Sequence, residues 1–343
     1  MKIISLLTRK GRLCVNLYRY ILSTLAVYGL DEIAARTGTG KIFRLFRRIF
    51  CRKQSEIERT IEEYTTWERI RMTVEQLGPS FIKLGQILSN RPDLIPRELQ
   101  TELVKLQENV KPFSAEKAIA IVEEELDDSI EALFAEFDRS PFAAASIAQL
   151  HRAILPGGEE VAVKIERPGL QELVEVDVAI LKELAELLER HVPKSKTIGP
   201  QDIVEEFERA ILQEIDLRRE AASIERFASQ FTDDTDIKIP KVYKRHSTHR
   251  VLTMEFIDGK PLSEILNQDA RNPEEGARIA ELGAVLTLKQ IFTHGFFHAD
   301  PHPGNIVILE DGRLCYLDFG LTGSLIQRDL EVVSDILISI IER

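Results

Sequence analysis

Asp300, Asn305 and Asp318 all lie in one stretch, residues 294–320, with the sequence HGFFHADPHPGNIVILEDGRLCYLDFG. Asn305 follows Asp300 by five positions, and Asp318, eighteen positions after Asp300, heads an Asp-Phe-Gly triplet. Carboxylate and amide oxygens are the ligands that a hard divalent cation takes. Transfer or cleavage of a terminal phosphoryl group needs such a cation to neutralise phosphate oxygens, and a further carboxylate to orient the attacking hydroxyl or water. On that chemistry Asp300 is the base or positioning group, and Asn305 and Asp318 are the ligands of Mg2+.

The spacing sharpens the reading. His298-x-Asp300-x4-Asn305 has the layout of a kinase catalytic loop, and the Asp-Phe-Gly triplet that of its metal-binding counterpart. Asp300-Pro301 and Pro303-Gly304 are also ordinary turn formers, but turns alone do not call for both motifs together. Zinc is a second alternative, because His294, His298 and His302 recur every four residues. Pro301, Pro303 and Gly304 would break any helix that presented them on one face.

Those groups need elements to hold them. NIVIL and RLCYLDF read as two short strands joined at Glu310-Asp311-Gly312. Upstream, SPFAAASIAQLHRAIL and EEVAVKIERPG read as strands around a Pro156-Gly157-Gly158 turn, and Val161-Ala162-Val163-Lys164 is an apolar strand ending in one cation for phosphates. A glutamate must fix that lysine. LQEIDLRREAA offers Glu214, Asp216 and Glu220 on a helix predicted over 201–231, with Asp216 and Glu220 sharing a face. A helix over 170–190 precedes it, and KVYKRH and RVLTMEFIDG are expected as two further strands. At the end of the second, backbone groups of Glu255 and Ile257 are expected to meet adenine. A helix over 274–292 leads into the catalytic stretch. Residues 54–113 read as helical, with Lys83, Gln86 and Asn90 forming a polar stripe. Gly85 within that helix costs about 1 kcal/mol relative to alanine and suggests close approach to another backbone or to a phosphate. One more helix is expected over 114–137, capped by Ser114.

Apolar and charged fractions of 44% and 29% over 343 residues belong to a globular chain and exclude wholesale disorder. Residues 1–53 carry 12 Lys or Arg against 2 Asp or Glu, a net +10, which leaves −21 for the rest of a chain whose total is −11. The basic residues of KIFRLFRRIF alternate with apolar ones, the pattern of a short amphipathic helix for a membrane interface or a partner groove rather than for nucleic acid. A helix docked on the protein body would read the same way. No run reaches the length of a transmembrane helix. Cys14, Cys51 and Cys315 are odd in number and widely spaced, which suits reduced thiols in a cytosol-like compartment.

With these pieces in order the chain resembles the UbiB family of atypical protein-kinase-like proteins, tied to coenzyme Q and prenyl-quinone metabolism. LGPSFIKLGQILSNRPDLIP carries its Lys-x-Gly-Gln motif as Lys83, Gly85 and Gln86, PFAAASIAQLH places Ala143, Ala144, Ala145 and Ser146 where other kinases have a glycine-rich loop, and HGFFHADPHPGN and the Asp-Phe-Gly triplet complete the set. The resemblance implies an α+β, two-lobed kinase-like fold that binds ATP and Mg2+. It puts Lys164 on the phosphates with Glu220 as its partner, makes Glu214 and Asp216 the Glu-x-Asp pair, and gives Lys83 and Gln86 catalytic roles on a helix folded over the cleft. Alanines cannot wrap phosphates as closely as glycines, so ATP hydrolysis coupled to lipid or quinone-precursor handling is favoured over transfer to protein.

The expected organisation is a basic segment over 1–55, a helical extension over 56–137, a kinase-like N-lobe over 138–257 and a partial C-lobe over 258–343. The expected partners are ATP, a prenyl-quinone precursor or lipid, other quinone-synthesis enzymes and the cytoplasmic face of a membrane, held peripherally. Two rival readings remain, a Ser/Thr protein kinase and a non-catalytic nucleotide-binding scaffold.

Overall fold

The computed structural model describes residues 64–107, 112–191, 199–267 and 273–341, so the expected basic segment lies outside the described residues. The chain divides into two compact units, one made of Met1–Phe113, Ala144–Ala148 and Arg167–Ile215, the other of Ser114–Ala143, Gln149–Glu166 and Asp216–Arg343.

The first unit is helical. Helix α1 (Thr66–Leu77) opens on a capping box in which Thr65 and Glu68 satisfy each other's backbone N–H groups. Helix α2 (Pro79–Ser89) begins with proline, whose missing N–H costs nothing there. Helix α3 (Arg97–Val104) follows, and its Leu103 joins Ile82 and Leu106 in a small core. Gly85 sits at that junction, where an added Cβ would overlap Leu106 Cδ1 and press on Val74 Cγ1 at 3.3 Å. The close approach within the protein at this glycine is therefore to packed side chains rather than to another backbone.

The second unit starts with α4 (Ala115–Leu126) behind Ser114. The single helix expected over 114–137 stops there, because Asp127 turns left-handed at φ +54°. A short α5 (Ile130–Leu133) and strand β1 (Glu136–Phe137) take its place. The main sheet runs β1, β3 (Ala148–Ile154), β4 (Glu160–Glu166) and β6 (Val251–Glu255), with the two-residue β2 (Ala143–Ala144) paired to β3. Within it β4 and β6 are antiparallel, with Lys164 opposite Leu252.

Two helices of the first unit, α6 (Leu170–His191) and α7 (Pro200–Glu214), share a core with Phe81 of α2. The long helix expected over 201–231 is two helices. Asp216 leaves helical geometry at φ −93°, ψ 93°, accepts a bond from Arg218 N–H, and so caps α8 (Leu217–Gln230) in the second unit. The KVYKRH strand is absent too: Val242 makes a single bridge to Met254 and residues 244–246 form a 3-10 turn.

The rest of the second unit surrounds the Asp-Phe-Gly triplet. Strands β5 (Ile237–Lys238), β10 (Leu314–Tyr316), β9 (Ile306–Ile308) and β7 (Lys260–Pro261) form one sheet in that order. The β9–β10 turn closes through Gly312 at φ +85°, a backbone that favours glycine. Helix α9 (Leu262–Asn267) precedes α10 (Pro273–Leu288), which runs on as a π-helix over Lys289–His294 until Gly295. Strands β8 (Phe296–His298) and β11 (Thr322–Ser324) pair, and α11 (Gln327–Ile341) ends the described chain. Leu217, Ile224 and Phe227 of α8 pack with Phe296, Tyr316 and Phe319 in one apolar core.

Candidate active site

Strand β4 is buried from Val161 onward, so Lys164 enters the interior as a cation in an apolar run. A buried ammonium needs partners. Its Nζ lies 2.8 Å from the Glu220 carboxylate and 3.6 Å from Asp318 Oδ1. Lys164 and Glu220 side chains are 7% and 4% exposed, whereas that of Asp318 is 45% exposed. A sequestered pair thus adjoins one carboxylate still open to solvent. Glu220 stands in the first turn of α8, positioned by the Asp216 cap. Burial pushes its carboxyl upward, opposed by Lys164, reinforced by the like charge of Asp318, and moderated by the Phe319 backbone N–H.

Helix α8 is tied to the segments on both sides of Asp318. Its Arg226 lies 3.8 Å over the Phe296 ring and its Ser223 hydroxyl is 3.4 Å from that of Thr322. Phe227 packs edge-on against Phe319 at 5.1 Å. These contacts hold the Glu220 helix against the Asp-Phe-Gly strand end.

His298 joins the two acidic positions. Its Nδ1 accepts from the Asp300 N–H at 3.2 Å, so Nε2 carries the proton and donates to the Asp318 carbonyl. Burial pulls its pKa down, which keeps the ring neutral. The ring stacks on Tyr316 at 5.0 Å. Gln290 completes the network by accepting the His298 backbone N–H at 2.9 Å and donating to the Tyr316 hydroxyl at 3.1 Å. Sequence reasoning missed Gln290. A glutamine in LTLKQIFTH looks like a surface position, yet within the π-helix over Lys289–His294 it is buried to 2% exposure.

Asn305 is bound in by its backbone, its carbonyl accepting from Leu317 N–H at 2.9 Å, directly before Asp318. The Asp318 side chain accepts from Gly320 N–H at 2.9 Å. The histidines do not converge: His294 packs on Phe231, and His302 Nδ1 accepts from Gly304 N–H. Among the described residues no three His, Cys, Asp or Glu could hold a metal ion together. The three histidines therefore do not form the zinc site weighed for them, and a carboxylate with an amide oxygen is the kind of donor set that Mg2+ takes, with waters and substrate phosphates completing its shell. Asp318 and Asn305 are a donor set of that kind.

The remaining candidates are placed as follows. Glu255 pairs with Lys238 at 2.7 Å, and its N–H, one of the backbone groups expected to meet adenine, donates to the Lys241 carbonyl at 2.8 Å. Ile257 is half-buried just beyond it. Around Ala143–Ser146, Phe142 N–H bonds Leu150 O at 3.0 Å and Ala145 N–H bonds Ala148 O at 2.8 Å, while Ser146 is buried. In the helical unit Glu214 pairs with Lys83 at 2.5 Å, and Gln86 donates to the Leu106 carbonyl at 3.3 Å. Asp216 forms an ion pair with Arg218, which holds its carboxyl below the usual range. Glu214 and Asp216 therefore serve different partners, and the Lys164 partner is Glu220.

Among the described residues no helix is long and apolar enough to cross a membrane. Residues 105–343 match the family model of the ABC1 atypical kinase-like domain. A chloroplastic Arabidopsis thaliana protein, Activity of BC1 Complex Kinase 8, is 42% identical over 75% of this chain and 34% of its own. A Xylella fastidiosa protein named probable protein kinase UbiB is 38% identical over 88% of this chain and 55% of its own. This chain therefore spans about half, or less, of the length of these curated relatives. The structure of Rv3197 with erythromycin, from Mycobacterium tuberculosis, is 30% identical, covering 79% of this chain and 68% of that one, with a TM-score of 0.55. The fold is α+β and kinase-like, and the chain belongs to the ABC1 atypical kinase-like family, the UbiB group its motifs resemble.

Proposed function

We propose that this chain binds Mg-ATP and couples its hydrolysis, or transfer of its terminal phosphoryl group, to the handling of a prenyl-quinone precursor or lipid in ubiquinone synthesis. The observation that carries this reading is the approach of Lys164 to both Glu220 and Asp318. Lys164, oriented by Glu220, binds phosphate oxygens. Asp318 and Asn305 hold the cation, which when bound neutralises charge on the phosphates. Asp300 orients the attacking hydroxyl or water and takes its proton. Neutral His298 fixes the backbone at both acidic positions. The basic amphipathic segment within 1–53 supports action at the anionic cytoplasmic face of a membrane.

The test is ATP turnover with and without anionic vesicles and a phenolic quinone precursor, comparing wild type with Asp318→Asn. Wild type should hydrolyse ATP and respond to lipid or phenol, and the variant should lose Mg2+-dependent binding. Equal Mg-ATP binding by the two proteins would overturn the metal assignment.

A further inference from the structure

Glu125, the penultimate residue of α4, has no part in the chemistry above, yet its side chain is only 10% exposed and is met by three successive residues of one turn. Its Oε2 accepts the Thr248 hydroxyl at 2.6 Å and faces His249 Nδ1 at 3.1 Å, while Oε1 lies 3.5 Å from Arg250 Nη1. A carboxylate has no proton to give, so the Thr248 hydroxyl directs its own to Glu125. The hydroxyl oxygen is then left to accept the N–H groups of Arg250 and Val251, at 3.2 and 3.3 Å, which fixes the turn. Two neighbouring carbonyls of that turn serve the two elements of the buried ion pair. That of His249 accepts at 2.9 Å the N–H of Leu217, the first residue of α8, which its own helix cannot satisfy. That of Arg250 accepts at 2.9 Å the N–H of Glu166, two residues past Lys164 on β4. All these residues belong to the second unit.

We propose that Glu125 is a positioning residue which, by fixing the 248–250 turn, holds the start of α8 against the end of β4 and so sets the geometry at which Lys164 and Glu220 close. The contacts themselves carry this placement; that the lysine so held binds phosphate rests on the function proposed above. The leverage comes from the shortness of the path. Glu220 follows Leu217 by three residues and Lys164 precedes Glu166 by two, so a shift of either turn carbonyl is passed to one partner of the pair within a single helical turn or one strand repeat. The pair closes at 2.8 Å between side chains 7% and 4% exposed. Buried charges offset their desolvation only in close geometry, so little movement is tolerated there.

The experiment compares four full-length chains: wild type, Glu125→Ala, Thr248→Val, which deletes the hydroxyl at nearly constant volume, and Ile130→Val, which trims a buried residue of α5 and serves as a stability control. Each is followed by thermal melting, by acylation of Lys164 with an amine-directed reagent read by mass spectrometry, and by ATP hydrolysis. Acylation requires a free amine, so it reports the opening of the pair whether or not nucleotide binds. It should rise about tenfold in Glu125→Ala, the scale of one lost hydrogen bond to a charged group, and less in Thr248→Val, while Ile130→Val stays at the wild-type rate. The kcat/KM for ATP should fall in the same order. Wild-type Lys164 reactivity in a folded Glu125→Ala overturns the proposal. So does an equal rise in Ile130→Val at an equal loss of melting temperature, since that is general loosening. Where Glu125→Ala does not fold, Thr248→Val decides by the same criterion. A wild type without ATP turnover, in which Glu125→Ala still frees Lys164, sinks the proposed function and supports the positioning role.

Discussion

Lys164 is costly to bury and is met by two carboxylates of unequal exposure, and this asymmetry makes the cluster chemically useful. Removing one partner of a buried ion pair leaves the other uncompensated, at about 3–5 kcal/mol. Glu220→Ala should therefore lower both stability and ATP turnover. Glu220→Gln keeps the volume and should retain the fold while cutting turnover about a hundredfold, the scale of a lost electrostatic contact in a transition state. Melting curves alongside hydrolysis rates separate the two effects. His298 is held by bonds rather than by charge, so His298→Ala should leave the Asp318 carbonyl and the Asp300 N–H unmatched. Each unsatisfied group costs about 1–3 kcal/mol, measurable as a lowered denaturant midpoint at constant slope.

Helices act here through their ends and their close contacts. The break at Asp216 turns one long amphipathic pattern into two helices, one carrying Glu214 to Lys83 and the other carrying Glu220 to Lys164. Asp216→Ala should cost about 1 kcal/mol as a lost cap and should weaken nucleotide binding more than its surface position suggests, as titration with a fluorescent ATP analogue would report. Helix α2 packs through Gly85 on α3 and on Leu106 of the 3-10 turn that follows it, Lys105–Gln107. Gly85→Ala should destabilise the helical unit by about 1–3 kcal/mol, because an overpacked methyl outweighs the gain in helix propensity. A stabilised variant would show that Leu106 yields.

At the scale of the whole molecule, buried charge and charge partition set the response to conditions. Asp177 of α6 is 1% exposed, faces Ser80 of α2, and is pushed by burial up to about 6. A carboxyl whose folded pKa is raised favours the fold in its protonated form. Its contribution is full below the unfolded value near 3.8 and is lost as pH rises through about 6. Asp177→Asn should therefore melt several degrees above wild type at pH 7.5, with the difference vanishing near pH 4. The other response is to surfaces. Residues 1–53 carry +10 and the remainder −21, so deleting that segment should abolish co-sedimentation with phosphatidylserine vesicles at low salt. In the intact chain, binding should fall as screening increases. Binding that survives the deletion would move the membrane contact elsewhere.

Local chemistry was legible in the sequence. The Asp300, Asn305 and Asp318 spacing, the apolar strand through Lys164, which runs on to Glu166 rather than ending at the lysine, the β9–β10 hairpin and the Lys-x-Gly-Gln helix are short-range patterns that residue types and turn preferences dictate. Partner choice was not. Three acidic residues along residues 214–220 were equivalent as letters; only the family resemblance pointed to Glu220, and the Asp216 cap and the burial of α8 are what bring it to Lys164. The fates of Gly85, Gln290 and the Glu255 N–H were likewise decided by what packs against them from distant parts of the chain. A periodicity records which face a residue is on, but the energy of burying it depends on the neighbour, and that neighbour is set by the tertiary fold.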